Sequence, residues 1–222
     1  VIEKNIKYNE ILSPIGINVG INKETLKEKA VEDYVMVISR LNKYVAYFSI
    51  NISSPNTASL KSLVKKSFLK SLASHLQGEK IDLKKIYVKL PPDLDKSSFQ
   101  SMIEVIANLG FSGVILCNTK SVTKPFVGGL SGKPLFPLAT TCLEWAWEVH
   151  RGSLSMIGVG GVLSGNDVFQ KLIRGASAVQ IYTSFIYRGP WVVCELLREL
   201  EVILVQHGFD SVSKAVGSYY NN

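Results

Sequence analysis

Cysteine is scarce in this chain: Cys117, Cys142 and Cys194 lie far apart, in no CxxC or Cys/His spacing. That pattern excludes a disulfide framework and a thiolate metal site, and it points to a reducing compartment. Long apolar runs are missing as well. Stretches such as Val202 to Val205 fall far short of the roughly 18–20 residues a membrane-spanning helix requires. The three histidines, His75, His150 and His207, all fall on or at the ends of predicted helices. A Ser-His-Asp triad therefore has no base at the strand ends, and Ser54 stands in no GxSxG elbow. Carboxylates are few at the strand ends beyond Asp93, which disfavours metal catalysis and a two-carboxylate glycosidase. The opening residues do not have the pattern of a secretory signal. They begin with Val1, and an upstream segment is expected.

What is present suits one full-sized core. At 222 residues and 46% hydrophobic, the chain is expected to form a single domain over 1–222. The net charge is +7, which by itself fits nucleic acid or an anionic surface. The lysines are scattered, however, as at Lys23, Lys27, Lys29, Lys61, Lys65, Lys66 and Lys70, mostly on polar helix positions. They read as a solvated face, and no nucleic-acid partner is expected.

Short apolar runs recur at 14–20, 44–52, 85–90, 113–118, 155–160 and 178–183, with helical periodicity between them. Runs such as GVILCN and AVQIYT are near-continuously hydrophobic, as strands of a parallel sheet are. Thr25 is placed as the N-cap of the first helix. Six βα units fit either a doubly wound sheet or a (β/α)8 TIM barrel. A dinucleotide fold would put its glycine-rich turn after the first strand. Here GVGGV at 158–162 follows the fifth, and the sixth ends in YTSF, which favours a phosphate site between the last two strands of a barrel. A barrel needs eight units, so about six of eight are expected here, with two N-terminal to them.

The unusual polar residues collect where those strands end. They are Asn18; Asn51, Ser53, Ser54 and Asn56; Lys89; Cys117, Asn118 and Thr119; Gly160 and Gly161; Tyr182 and Thr183; and Ser131 and Gly132 in the loop after the fourth strand. Any one of them is an ordinary turn former or snorkelling lysine. Together, amides and a lysine converging on one pocket require a polar ligand, because buried polar groups without partners are costly. Amides, hydroxyls, one lysine and a glycine-rich loop suit a phosphorylated cofactor that brings its own reactivity. A phosphate-binding isomerase or a non-catalytic ligand binder stays open on this pattern.

NISSPNT, VKLPPDL, CNT, GGLSGKPL, GVGGVLSG and VQIYT resemble, in order and spacing, the motifs of the dihydroorotate dehydrogenase family, from about Gly16 to Gly217. The resemblance implies an FMN-dependent barrel that oxidises dihydroorotate to orotate in pyrimidine synthesis. It assigns FMN contacts to Asn18, Asn51, Lys89, Cys117, Ser131, Gly132, Gly160, Gly161, Tyr182 and Thr183. Asn51, Asn56, Asn118 and Thr119 would hold the pyrimidine and its carboxylate. Ser54 would take the proton from C5 while hydride passes from C6 to flavin N5, with Thr57 and ordered water assisting. Serine at that position is similar to the membrane-associated class 2 branch, which passes electrons to a quinone at the bacterial inner membrane (cytoplasmic side) or the mitochondrial inner membrane. That branch attaches through N-terminal segments absent from this chain. Two departures stand out: Cys117 replaces a usual threonine, and the loop between Thr119 and Gly128 is short. Another flavin barrel, similar to a dihydropyrimidine dehydrogenase domain, would need cysteine clusters this chain lacks.

Overall fold

The computed structural model describes residues 13–22, 25–52, 63–124 and 127–221. Eight strands are present among them: β1 (Gly16–Val19), β2 (Tyr47–Asn51), β3 (Ile86–Leu90), β4 (Gly113–Leu116), β5 (Lys120–Val122), β6 (Gly128–Leu130), β7 (Ser155–Val159) and β8 (Ala178–Gln180). Six of them form one parallel sheet in the order β1-β2-β3-β4-β7-β8. Spatial order follows chain order throughout. A doubly wound sheet reverses its strand order at a switch point, and this one never does, so the barrel alternative holds.

The strands alternate cleanly between two environments. Phe48, Ile50, Ile86, Val88, Leu90, Val114, Leu116 and Met156 are buried against the helices in the main core. Their in-register neighbours on the other face include Ser49, Asn51, Tyr87, Lys89, Ile115 and Ile157. Polar residues are thus placed on the inner face by strand register alone, and a one-residue slip would exchange the two sets.

Five long helices cover the outer face: α1 (Ala30–Leu41), α2 (Lys66–Gly78), α3 (Lys96–Asn108), α4 (Phe136–His150) and α5 (Gly165–Ile173). Helix α3 shows why they form. Asp95 caps it by accepting from the Ser98 backbone N–H at 3.0 Å, and Phe99, Met102, Ile103 and Ile106 share one buried stripe. Removing the fully buried Phe99 ring would cost about 3–5 kcal/mol. Helix α5 opens on a capping box between Ser164 and Asp167. The chain then continues through α6 (Thr183–Arg188), α7 (Val192–Gln206) and α8 (Val212–Ala215).

Two sequence expectations are corrected, and one element is added to them. Thr25 does not cap α1: its hydroxyl donates to Asp33 Oδ2 at 2.8 Å, and Lys29 occupies the cap position without a side-chain bond. The last strand stops at Gln180, because Thr183 already begins α6. The glycine-rich loop after β4 contains the antiparallel hairpin β5–β6, which the sequence does not announce.

Candidate active site

The carboxyl ends of β3, β4, β7 and β8, with the loop after β6, enclose a cleft of about 380 Å³. That lies within the usual range of small-molecule sites, about 300–1,000 Å³. Lys89, Cys117, Asn118, Thr119, Ser131, Gly132, Gly160, Gly161, Tyr182 and Thr183 line it, so ten of the sequence candidates meet in one place. Asn51 joins from β2, where it stands in register with Lys89 and accepts from Asn118 Nδ2 at 3.0 Å. Asn18 lies further along the inner face, accepting from the Ser49 hydroxyl at 3.1 Å, and does not line the cleft. Ser54 and Asn56 lie outside the described residues, as does Thr57.

The rigidity of this arrangement comes from the backbone around it. The Asn118 N–H donates to Leu90 O at 2.9 Å, and the Asn118 side chain accepts from the Thr119 N–H at 2.9 Å. Asn118 is thereby held across β3 and β4, with one amide edge against Asn51. The hairpin is tied down by Asp93, whose carboxylate accepts from the Ser121 N–H at 3.0 Å. Asp93, the carboxylate singled out at a strand end, thus serves the hairpin. Ser131, just past β6, accepts from the Thr183 hydroxyl at 3.2 Å and links the hairpin to the β8 end.

Glycine is required where β7 turns over α4. Gly161 has φ +74, and a Cβ there would lie 2.4 Å from Phe136 Cβ and 2.7 Å from Phe136 backbone atoms. Any side chain would push the loop off the helix and close the cleft's floor.

The electrostatics are one-sided. Among the described lining residues no side chain is a carboxylate, and Lys89 is the only formal charge. Burial holds the Lys89 amine below its ordinary pKa, with Cys117 opposing the shift. The Cys117 thiol is raised well above its usual value, first by its hydrogen bond with Cys142 and then by burial. Behind Cys117 lies a residue that no sequence pattern singles out. Lys171 on α5 is completely buried, donates to Thr140 Oγ1 at 3.2 Å and places its amine 4.6 Å from the Phe136 ring centroid. Burial brings its pKa down to about 8. Sequence reading also passed over Ser184, which lines the cleft beside Thr183. A lysine in an amphipathic helix and a serine after a threonine carry no signal of their own.

A family model described as dihydroorotate dehydrogenase matches residues 1–204. The chain belongs to the dihydroorotate dehydrogenase family. The dihydroorotate dehydrogenase (quinone) of Trichodesmium erythraeum is 36% identical over 95% of this chain. The mitochondrial dihydroorotate dehydrogenase (quinone) of Mus musculus is 39% identical over 92% of it. The chain spans 60% and 54% of the length of those two proteins. A crystal structure of dihydroorotate dehydrogenase from Eimeria tenella, in complex with ferulenol, matches all of this chain and 66% of its own with a TM-score of 0.89 at 29% identity. The curled six-stranded sheet is therefore part of a TIM barrel of this family, with the cleft at the carboxyl ends of its strands.

Proposed function

We propose that the protein oxidises dihydroorotate to orotate with bound FMN and delivers the two electrons to a quinone, residues 1–222 being one catalytic barrel domain short of its N-terminal units. The observation that carries this is a cleft with no carboxylate among its described lining residues, in which Lys89 and the Asn51–Asn118 amide pair converge, in a chain of this family. The donor set fits FMN: hydroxyls and glycine backbone for a phosphate, and a half-buried amine for the electron-rich edge of the ring. Lys89, Asn51, Cys117, Ser131, Gly132, Gly160, Gly161, Tyr182 and Thr183 would hold it, and Asn18, outside the cleft lining, would join them from further along the inner face. When bound, FMN supplies a hydride acceptor that is afterwards reoxidised by quinone.

The chain's own residues do the remaining work. Asn51, Asn56, Asn118 and Thr119 orient the pyrimidine, whose alternating donors and acceptors match carboxamides. Because Asn118 is already fixed by Asn51 and by the Leu90 carbonyl, little ordering is left for substrate to impose. Ser54 accepts the C5 proton and passes it on through Thr57 and water. Lys89 places its charge in a poorly screened site, where it stabilises negative charge more strongly than in bulk water.

Association with a bacterial or mitochondrial inner membrane belongs to this proposal, and its support is the family's quinone-linked relatives. Among the described residues no helix is long and apolar enough to cross a membrane. Turnover with dihydroorotate and a soluble quinone tests the reaction. One orotate formed per quinone reduced is expected. Orotate formed only with another acceptor would overturn the quinone assignment, and no orotate with any acceptor would overturn the reaction.

A further inference from the structure

Among the described residues that line the cleft, none is on α1. Two neighbouring side chains of that helix nevertheless hold the ends of the first two strands. Asp33 Oδ2 accepts from the Asn22 backbone N–H and from the Thr25 hydroxyl, each at 2.8 Å, and ties the loop after β1 to the helix. Tyr34 is completely buried and donates its hydroxyl proton to Asn51 O at 2.8 Å. The Ile21 backbone N–H bears on the same oxygen: burial raises the pKa of the phenol, and this N–H opposes the rise. One hydroxyl thus meets both the loop after β1 and the last residue of β2.

Asn51 is where such a tether matters. The register of β1 with β2 ends at Val19 and Ile50, one residue short of it, and its carbonyl meets a side chain from α1 instead. On its other side Asn51 stands in register with Lys89, and its own side chain accepts from Asn118 Nδ2 at 3.0 Å. The direction of a side chain follows from the setting of its backbone. A tilt of the Asn51 peptide would therefore swing its carboxamide away from Asn118.

Packing alone does not call for a hydroxyl at Tyr34. Its ring lies edge-on to Phe68, with ring centroids 5.7 Å apart, and phenylalanine would fill the same space. A buried hydroxyl that finds a partner adds little net stability. What it adds here is direction, delivered to the end of the sheet rather than behind it.

We infer that Tyr34 is a positioning residue: its hydroxyl, acting through the Asn51 carbonyl, fixes the Asn51–Asn118 amide pair in the orientation that the substrate ring requires. The inference rests on the dihydroorotate reading above.

The test sets Tyr34→Phe beside Phe68→Leu, which loosens the same packing but leaves the hydroxyl in place. Urea unfolding should show both variants less stable than wild type. In the protein without substrate, exchange of the Asn118 side-chain amide protons, followed by NMR, should be about 10-fold faster in Y34F. Anaerobic flavin reduction at saturating dihydroorotate should be about 10-fold slower in Y34F, with orotate affinity within about 3-fold of wild type, because reaction geometry tolerates less slack than binding does. F68L should keep the wild-type exchange and reduction rates. A Y34F protein that loses stability but keeps both rates would make Tyr34 structural and overturn the inference. F68L slowing reduction as much as Y34F would assign the effect to loose packing and overturn it too. Wild-type flavin that dihydroorotate leaves oxidised would overturn the reaction itself, and the inference with it. Should Y34F not fold, Y34M fills the space without a donor, and the same outcomes decide.

Discussion

Lys89 and Lys171 are both withdrawn from water, and the sheet separates them. Burial lowers the pKa of each, and Cys117 opposes the shift in both. Yet Lys89 projects from the inner face into the cleft, whereas Lys171 lies behind the sheet, its stem so close under Gly158 that a Cβ there would sit 3.0 Å from Lys171 Cδ. For Lys89, an arriving anion offsets the cost of burial. For Lys171, Thr140 and the Phe136 ring stand beside the amine, and two thiols and then the Asp167 carboxylate oppose the shift without undoing it. A perturbed pKa thus identifies a buried group, and position decides whether it acts on a ligand or on the fold.

If that division holds, substitutions on the cleft side change rate, and those behind the sheet change stability. The largest effect is expected from Ser54→Ala: anaerobic reduction by dihydroorotate should slow by about 10²–10⁴-fold with flavin content retained, as a stopped-flow trace would show. Lys89→Met should slow the same step by about 10²–10³-fold while the melting temperature holds or rises. A collapse in stability with the rate intact would break the comparison.

Lys171→Met is expected to behave in the opposite way. Reduction should stay within about 3-fold of wild type, and stability at pH 7 should rise by about 1–3 kcal/mol in urea unfolding. The pH dependence sharpens this. With a folded pKa of about 8 against 10.5 ordinarily, the unfolded chain binds the extra proton between those values. Wild-type stability should therefore rise with pH from about 8 to 10.5 and be flat for this group below, and Lys171→Met should lose that rise. The smallest effect is on orotate affinity, which should fall as pH rises through the lowered pKa of Lys89, by at most about 10-fold per pH unit. Lys171→Met should keep that dependence and Lys89→Met should abolish it.

Much of this was legible in the chain, for identifiable reasons. The six strands announce themselves because one apolar face is obligatory in each, and Asn51, Lys89 and Asn118 stand out because amides and a lysine are anomalous there. The choice between two sheet architectures needed the strand order, which no local pattern encodes. The β5–β6 hairpin escaped because its three-residue strands, Lys120–Val122 and Gly128–Leu130, are too short to show a period. Thr25 looked like a cap by residue type, but Asp33, eight residues further on, takes its hydroxyl. Lys171 and Ser184 escaped because their interest lies in what surrounds them, and surroundings are a property of the packed molecule.

The most direct measurement is a visible spectrum of the purified protein with FMN, before and after dihydroorotate is added without oxygen. Flavin bands that appear on binding and bleach on addition are expected. A protein that takes up no FMN, or bound flavin that dihydroorotate leaves oxidised, would contradict the assignment of this cleft.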